Sequence, residues 1–156
     1  HNDLESFLSI KDLDPETKVY KGTLYEYETI SCLQKNFGII TRRVGGANDS
    51  GIDFRGRWIL PNYQQLNLVG QCKNSSNKCP PSSVRELEGV LGFESEDTLG
   101  ILSSKSGFSK YAIKRFVASP RPLILISVIQ NGNICERFTW NKSCEKLLDG
   151  LEVTLR

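Results

Sequence analysis

The chain has 156 residues, 38% hydrophobic and 24% charged, with a formal net charge of +2 at pH 7. That is the length of one globular domain able to bury a real core, and the overall field is too weak to hold a polyanion unless basic residues cluster locally. No apolar run approaches the roughly 20 residues of a membrane-spanning helix, and five cysteines without a CxxC pair, beside a single histidine, argue against zinc and for free thiols in a reducing compartment.

Residues 1–20 read as a partly polar lead-in with the mobility typical of termini, acidic over its first 14 positions and without signal-peptide character. The chain contains no methionine, so it is expected to be a processed chain or an excised domain, with any targeting segment outside it. Residues 21–156 form the expected domain. Helical spacing begins at residue 22 and runs to 36, with Glu26, Ile30, Leu33 and Phe37 on or near one face and Glu28, Ser31 and Lys35 on another, and Gly38 stops it. Residues 39–44 predict a strand that turns basic at Arg42 and Arg43, followed by a glycine-rich loop over 45–51. Residues 52–60 and 66–72 predict two more strands, read as a hairpin around Pro61. A polar loop with Pro80-Pro81 leads to a helix over 83–93, a short apolar strand over 99–102, a second helix over 108–117 and a buried strand over 123–129. Asn131-Gly132-Asn133 is a turn, and 134–156 reads as strand, short helix and strand. This order predicts an α/β fold, a mixed sheet with helices on its faces.

Two short segments carry the chemistry. Gly51-Ile52-Asp53 ends in an acid that can hold a metal ion, although aspartates after glycine-rich loops are more often plain turn acids. Gln71 and Lys73, one residue apart on a strand, point to the same face, while Cys72 points into apolar packing. Glu26 shares a helix face with Ile30 and Leu33 and is expected to point at the sheet, where an unpaired carboxylate is costly and a cation relieves the cost. Glu28 is expected to be the solvated acid of the pair. A magnesium or manganese ion would take oxygen from Asp53, from the Gln71 amide and the Cys72 main-chain carbonyl, and from Glu26 directly or through water. Lys73 would orient or deprotonate the attacking water, or stabilise charge on the phosphate.

The chain resembles the PD-(D/E)xK restriction-endonuclease-like superfamily in its Mrr-like QxK variant. The resemblance rests on Lys21-Gly22 with Tyr25-Glu26, on 49–53, on Val69-Gly70-Gln71-Cys72-Lys73, on 85–89, and on Gly100-Ile101-Leu102-Ser103 with Gly107-Phe108-Ser109. Residues 22–27, Gly45-Gly46-Ala47 and Gln71-Cys72-Lys73 are especially similar to a fungal mitochondrial family required for respiratory growth. The resemblance implies an αβββαβ core and a magnesium- or manganese-dependent nuclease that hydrolyses DNA, with mitochondrial placement and a role in maintaining or degrading mitochondrial DNA. It casts Glu26 as the first-helix acid, Asp53 as the central ligand, Gln71 as its neutral partner and Lys73 as the catalytic lysine. Gln71 replaces the commoner acid, which removes a negative charge and leaves open a catalytically weakened nucleic-acid-binding module of the same fold. A protein-interaction subunit is the third alternative.

Lys21, Arg42, Arg43, Lys78, Lys105, Lys110, Lys114 and Arg115 are candidate phosphate contacts, Arg43 and Lys105 being the better placed, with Asp49 a second acid or a loop cap. No helix-turn-helix, zinc-finger or RNP signature points to sequence-specific reading. DNA is the expected partner, with RNA also open, and a two-strand cut by one site per chain would use a homodimer.

Overall fold

The computed structural model describes residues 1–44 and 51–155. Two helices come first, α1 (Leu4–Leu8) and α2 (Lys18–Phe37). α2 starts earlier than the spacing predicts because Thr17 caps it, its hydroxyl accepting the N–H of Tyr20. Gly38 ends it as expected: it is left-handed, with φ 67, and its N–H donates to the Leu33 and Gln34 carbonyls.

The lead-in is more ordered than its polarity suggests. Phe7 is buried, with its ring 4.9 Å from that of Tyr20 and 5.6 Å from that of Tyr27. The boundary expected after residue 20 therefore falls inside α2.

Six strands form one sheet in chain order: β1 (Ile39–Arg43), β2 (Phe54–Ile59), β3 (Gln65–Lys73), β4 (Leu99–Ser104), β5 (Leu123–Ile129) and β6 (Ile134–Trp140). β1–β2 and β2–β3 are antiparallel, the latter being the expected hairpin. β3–β4 and β4–β5 are parallel, and β6 returns antiparallel to β5. Parallel neighbours need crossovers, which α3 (Pro81–Leu91) and α4 (Lys110–Ala118) supply. The result is the expected mixed sheet flanked by helices.

Alternation along the strands divides the core in two. Phe54, Trp58, Leu66 and Leu68 pack with Tyr25 and Leu33 of α2 on one face. Val69, Leu102 and Leu125 pack with Val84 and Leu87 of α3 and Phe116 of α4 on the other. Gly70 secures the register. A Cβ there would run into the Phe54 ring, so only glycine lets that ring lie flat on β3.

The final expected strand is absent from residues 151–155, which have no regular structure. Asn141 explains why the chain turns after β6. Its Oδ1 accepts the Leu123 N–H at 3.1 Å, and its Nδ2 donates to the carbonyls of Phe116 and Arg121 at 3.1 and 2.9 Å. A short 3-10 turn, Lys142–Cys144, follows, and Leu151 and Val153 lie against the α2-side core without pairing.

Candidate active site

Asp53 sits where β1, β2 and β3 meet. Its N–H donates to the Gly70 carbonyl at 2.8 Å and its carbonyl accepts the Val44 N–H at 2.8 Å. Its carboxylate reaches across to β3, where Oδ2 accepts the Cys72 N–H at 2.7 Å. A turn acid would face water, whereas this one is held against the backbone between Gln71 and Lys73.

Gln71 is 1% exposed. Its Nε2 donates to the Gly51 carbonyl at 2.6 Å and to Glu86 Oε1 at 3.1 Å. Those two acceptors fix which way the amide faces. Its Oε1 is buried and, among the described residues, has no hydrogen-bond partner. A buried carbonyl oxygen left this way costs free energy. Lys73 follows on the same face, and its Nζ lies 3.3 Å from Glu86 Oε2.

Glu86 is thus the acid that joins the two residues of the Gln-x-Lys segment, one oxygen to each. As a half-exposed residue of α3 it looks like a solvated helix acid in the sequence. The available signal is topological: a crossover after β3 lays the first turns of α3 over the end of that strand, on the face Gln71 and Lys73 share.

Glu26 does face the sheet, but on the α2 side, and Arg43 takes its carboxylate: Nε to Oε2 is 2.6 Å. Arg43 also lies 5.8 Å from the Tyr27 ring centroid. The two cores are linked at Cys72, whose thiol lies on the α2 side. Burial first, and then the neighbouring Asp53 carboxylate, hold that thiol well above its ordinary pKa, and Glu26 adds to the shift. Asp53 and Glu26 therefore both lie near Cys72.

The expectation for Glu28 is overturned. It is 8% exposed, because the left-handed turn at Gly132 packs on its backbone. Burial raises its pKa, and Lys105 lowers it in part. Lys105 is exposed beside the site, with its N–H donating to the Lys73 carbonyl at 3.0 Å. Lys110 lies at the start of α4 with Nζ 5.1 Å from the Tyr111 ring centroid. Asp49 and the loop motif Gly45-Gly46-Ala47 lie outside the described residues.

All five cysteines are free thiols. Among the described residues no group of three His, Cys, Asp or Glu side chains is placed to hold a metal ion. Among the described residues, a cation at this site would draw on amide or main-chain oxygen as well. The unpartnered Gln71 Oε1, one residue before the Cys72 N–H that holds the Asp53 carboxylate, fits that requirement, and an all-oxygen donor set suits magnesium or manganese. No described helix is long and apolar enough to cross a membrane.

The family described as Required for respiratory growth protein 7 matches residues 17–68 and 59–151. A mitochondrial protein of Schizosaccharomyces pombe is 32% identical over 160 residues, covering 98% of this chain and 64% of its own length. The Required for respiratory growth protein 7 of Vanderwaltozyma polyspora is 32% identical over 91 residues, covering 57% of this chain and 35% of its own, and that of Kluyveromyces lactis is 24% identical, covering 80% and 71%. The chain thus spans just under two thirds of the first relative and about a third of the second. All three are named as mitochondrial, as the resemblance implied. Among solved structures, MspJI restriction endonuclease in complex with a 27-mer oligonucleotide superposes with a TM-score of 0.56 at 20% identity, over 70% of this chain and 27% of that one. The likeness is one of fold: the architecture is restriction-endonuclease-like.

Proposed function

The chain belongs to the Required for respiratory growth protein 7 family of mitochondrial proteins, and from that premise we propose that it carries a divalent-metal-dependent deoxyribonuclease domain. One observation supports this reading most. Gln71 presents a buried amide oxygen with no described partner, beside an aspartate clamped to the same strand. The DNA substrate is argued by analogy with the oligonucleotide-bound neighbour of the same fold. A role in maintaining or degrading mitochondrial DNA follows from substrate and location together.

Asp53, the Gln71 amide oxygen and the Cys72 main-chain carbonyl would hold magnesium or manganese, with Glu26 contributing negative charge from the α2 side. Such an ion supplies Lewis-acid polarisation of the phosphate and acidifies water. The residues do the positioning. Glu86 and the Gly51 carbonyl occupy both Gln71 donors, which aims Oε1 away from them. The Cys72 N–H holds Asp53 in place. Lys73, steadied by Glu86, offers its ammonium to the charge that builds on the scissile phosphate. Glu86 restores to the site one negative charge that Gln71 lacks.

The test is cleavage of duplex, single-stranded and branched DNA, and of RNA, with magnesium or manganese. Asp53→Ala and Lys73→Ala are each expected to lose about 100-fold or more in rate. Full activity in both would overturn the assignment. The second reading is a nucleic-acid-binding module that no longer cuts, favoured by the neutral Gln71 and by the engagement of Lys73 with Glu86. It predicts metal-independent binding and no product from any substrate.

A further inference from the structure

β1, β2 and β3 extend beyond the reach of α3 and α4. The buried partners of those helices begin at Val69 on β3 and continue across β4 and β5. On the same sheet face, β1 contributes Ile40 and Arg42, β2 contributes Arg55 and Arg57, and β3 contributes Asn67. Ile40, Arg42, Arg57 and Asn67 are exposed. Together with Arg55 they line a concave surface of about 360 Å³. The other face of these strands buries Ile39, Phe54, Trp58, Leu66 and Leu68 against α2, so the exposed set cannot turn inward.

The register stacks like charges. Arg42 is directly opposite Arg55, and Arg57 is opposite Asn67 on one side and Ile40 on the other. Like charges directly opposite destabilise a sheet. Glu94 offsets only Arg55, through contacts of 2.7 and 3.3 Å. Arg42 and Arg57 make no ion pair among the described residues. Two guanidiniums without counterions among the described residues, over a concave sheet, suit an anion, and a planar fork suits phosphate oxygens.

The face is continuous with the candidate active site. Arg55 and Arg57 share one face of β2, which Asp53 immediately precedes, and Asn67, Val69, Gln71 and Lys73 share the same face of β3. At about 3.3 Å per residue, Arg57 lies about 13 Å from Asp53. Such a span covers only a few phosphates of a nucleic-acid strand. We infer that the open β1–β3 face, through Arg42 and Arg57, binds the phosphate backbone of the nucleic acid a few nucleotides from the phosphate held at Asp53. This inference rests on the nuclease reading and gives the substrate a direction across the fold.

The test uses the full chain and fluorescently labelled single- and double-stranded oligonucleotides, without added metal so that nothing is cut, with affinity measured across a salt series. Arg42→Ala/Arg57→Ala is expected to weaken binding at least tenfold and to lower the slope of log affinity against log salt by about 2. Arg42→Lys/Arg57→Lys is expected to recover most of the slope. A control pair carrying the same charge change elsewhere, Lys142→Ala/Lys146→Ala, is expected to change little. Melting curves check that each variant is folded, and Arg57→Gln alone replaces any that is not. Wild-type binding that the arginine pair leaves unchanged, or that the control pair weakens equally, overturns the inference while sparing the nuclease reading. A wild-type chain that binds no oligonucleotide without metal overturns the inference and leaves the nuclease reading to the cleavage assay. Arginine-dependent binding to anionic phospholipid vesicles but not to DNA overturns the inference in favour of a membrane surface.

Discussion

The two acids of α2 differ in what surrounds them. Glu26 has a guanidinium 2.6 Å away, whereas Glu28 is 8% exposed under the Gly132 turn and makes no ion pair among the described residues. Burial raises the Glu28 pKa, so folding favours its protonated form. The sign follows: its charge costs stability above the raised value, and that cost disappears as pH falls through it to the ordinary carboxylate range. Glu28→Gln is therefore expected to raise the melting temperature at pH 7, with a gain that shrinks to nothing near pH 4; a gain independent of pH would contradict this. Gln71 poses the converse case. In Gln71→Glu a carboxylate oxygen replaces the Nε2 donor that faces Gly51 and Glu86, both acceptors. A buried charge without a partner costs about 3 kcal/mol or more. The variant is expected to lose that much in urea denaturation at neutral pH. Added magnesium or manganese is expected to recover more stability in it than in the native chain, because a cation bound to the folded state alone stabilises it. Equal recovery in both would count against a cation at this position.

At the scale of elements, the β2–β3 pairing brings the site together. Phe54 lies opposite Gly70, so Asp53, one residue earlier, meets the Cys72 N–H. Gly70→Ala would push a methyl group into the Phe54 ring. It is expected to cost about 1–3 kcal/mol in denaturant midpoint, the usual penalty for overpacking. It should also abolish the proposed nuclease activity without touching a proposed catalytic group, and Gly70→Ala with wild-type stability would refute the packing argument. Period-two alternation made Gln71, Lys73 and the strand pairing legible, because each strand has one buried face. The same rule left Arg42 as one candidate phosphate contact among several, and only the register sets it opposite Arg55. Glu86 was hidden for another reason. Its importance comes from where the crossover lays α3, and spacing within the helix carries no trace of that. Glu28 misled because the residue that buries it, Gly132, is more than 100 positions away and covers it through backbone contact.

Across the whole molecule, the sheet separates a structural side from a chemical one, and its first 20 residues belong to the structural side. α2 covers the face that holds most of the large apolar side chains, while the face toward α3 carries Gln71, Lys73 and the open arginines. Polar composition made the lead-in read as mobile, since one phenylalanine among acids gives no periodic signal over so short a stretch. The ring of Phe7 nevertheless lies against Tyr20 and Tyr27 on the outer side of α2, and Tyr27 in turn lies beneath the Arg43 guanidinium that holds Glu26. The lead-in is thereby connected to the first-helix acid through two aromatic rings. Phe7→Ala is expected to cost roughly 3 kcal/mol, as truncation of a buried phenylalanine does. Because Asp53 and Gln71 lie on the far face of the sheet, the mutant should keep its metal-dependent stabilisation while its melting temperature falls. A mobile lead-in would instead leave the melting temperature unchanged. Loss of the metal response in Phe7→Ala would mean that the α2 side, through Glu26, contributes to holding the cation rather than only bordering it.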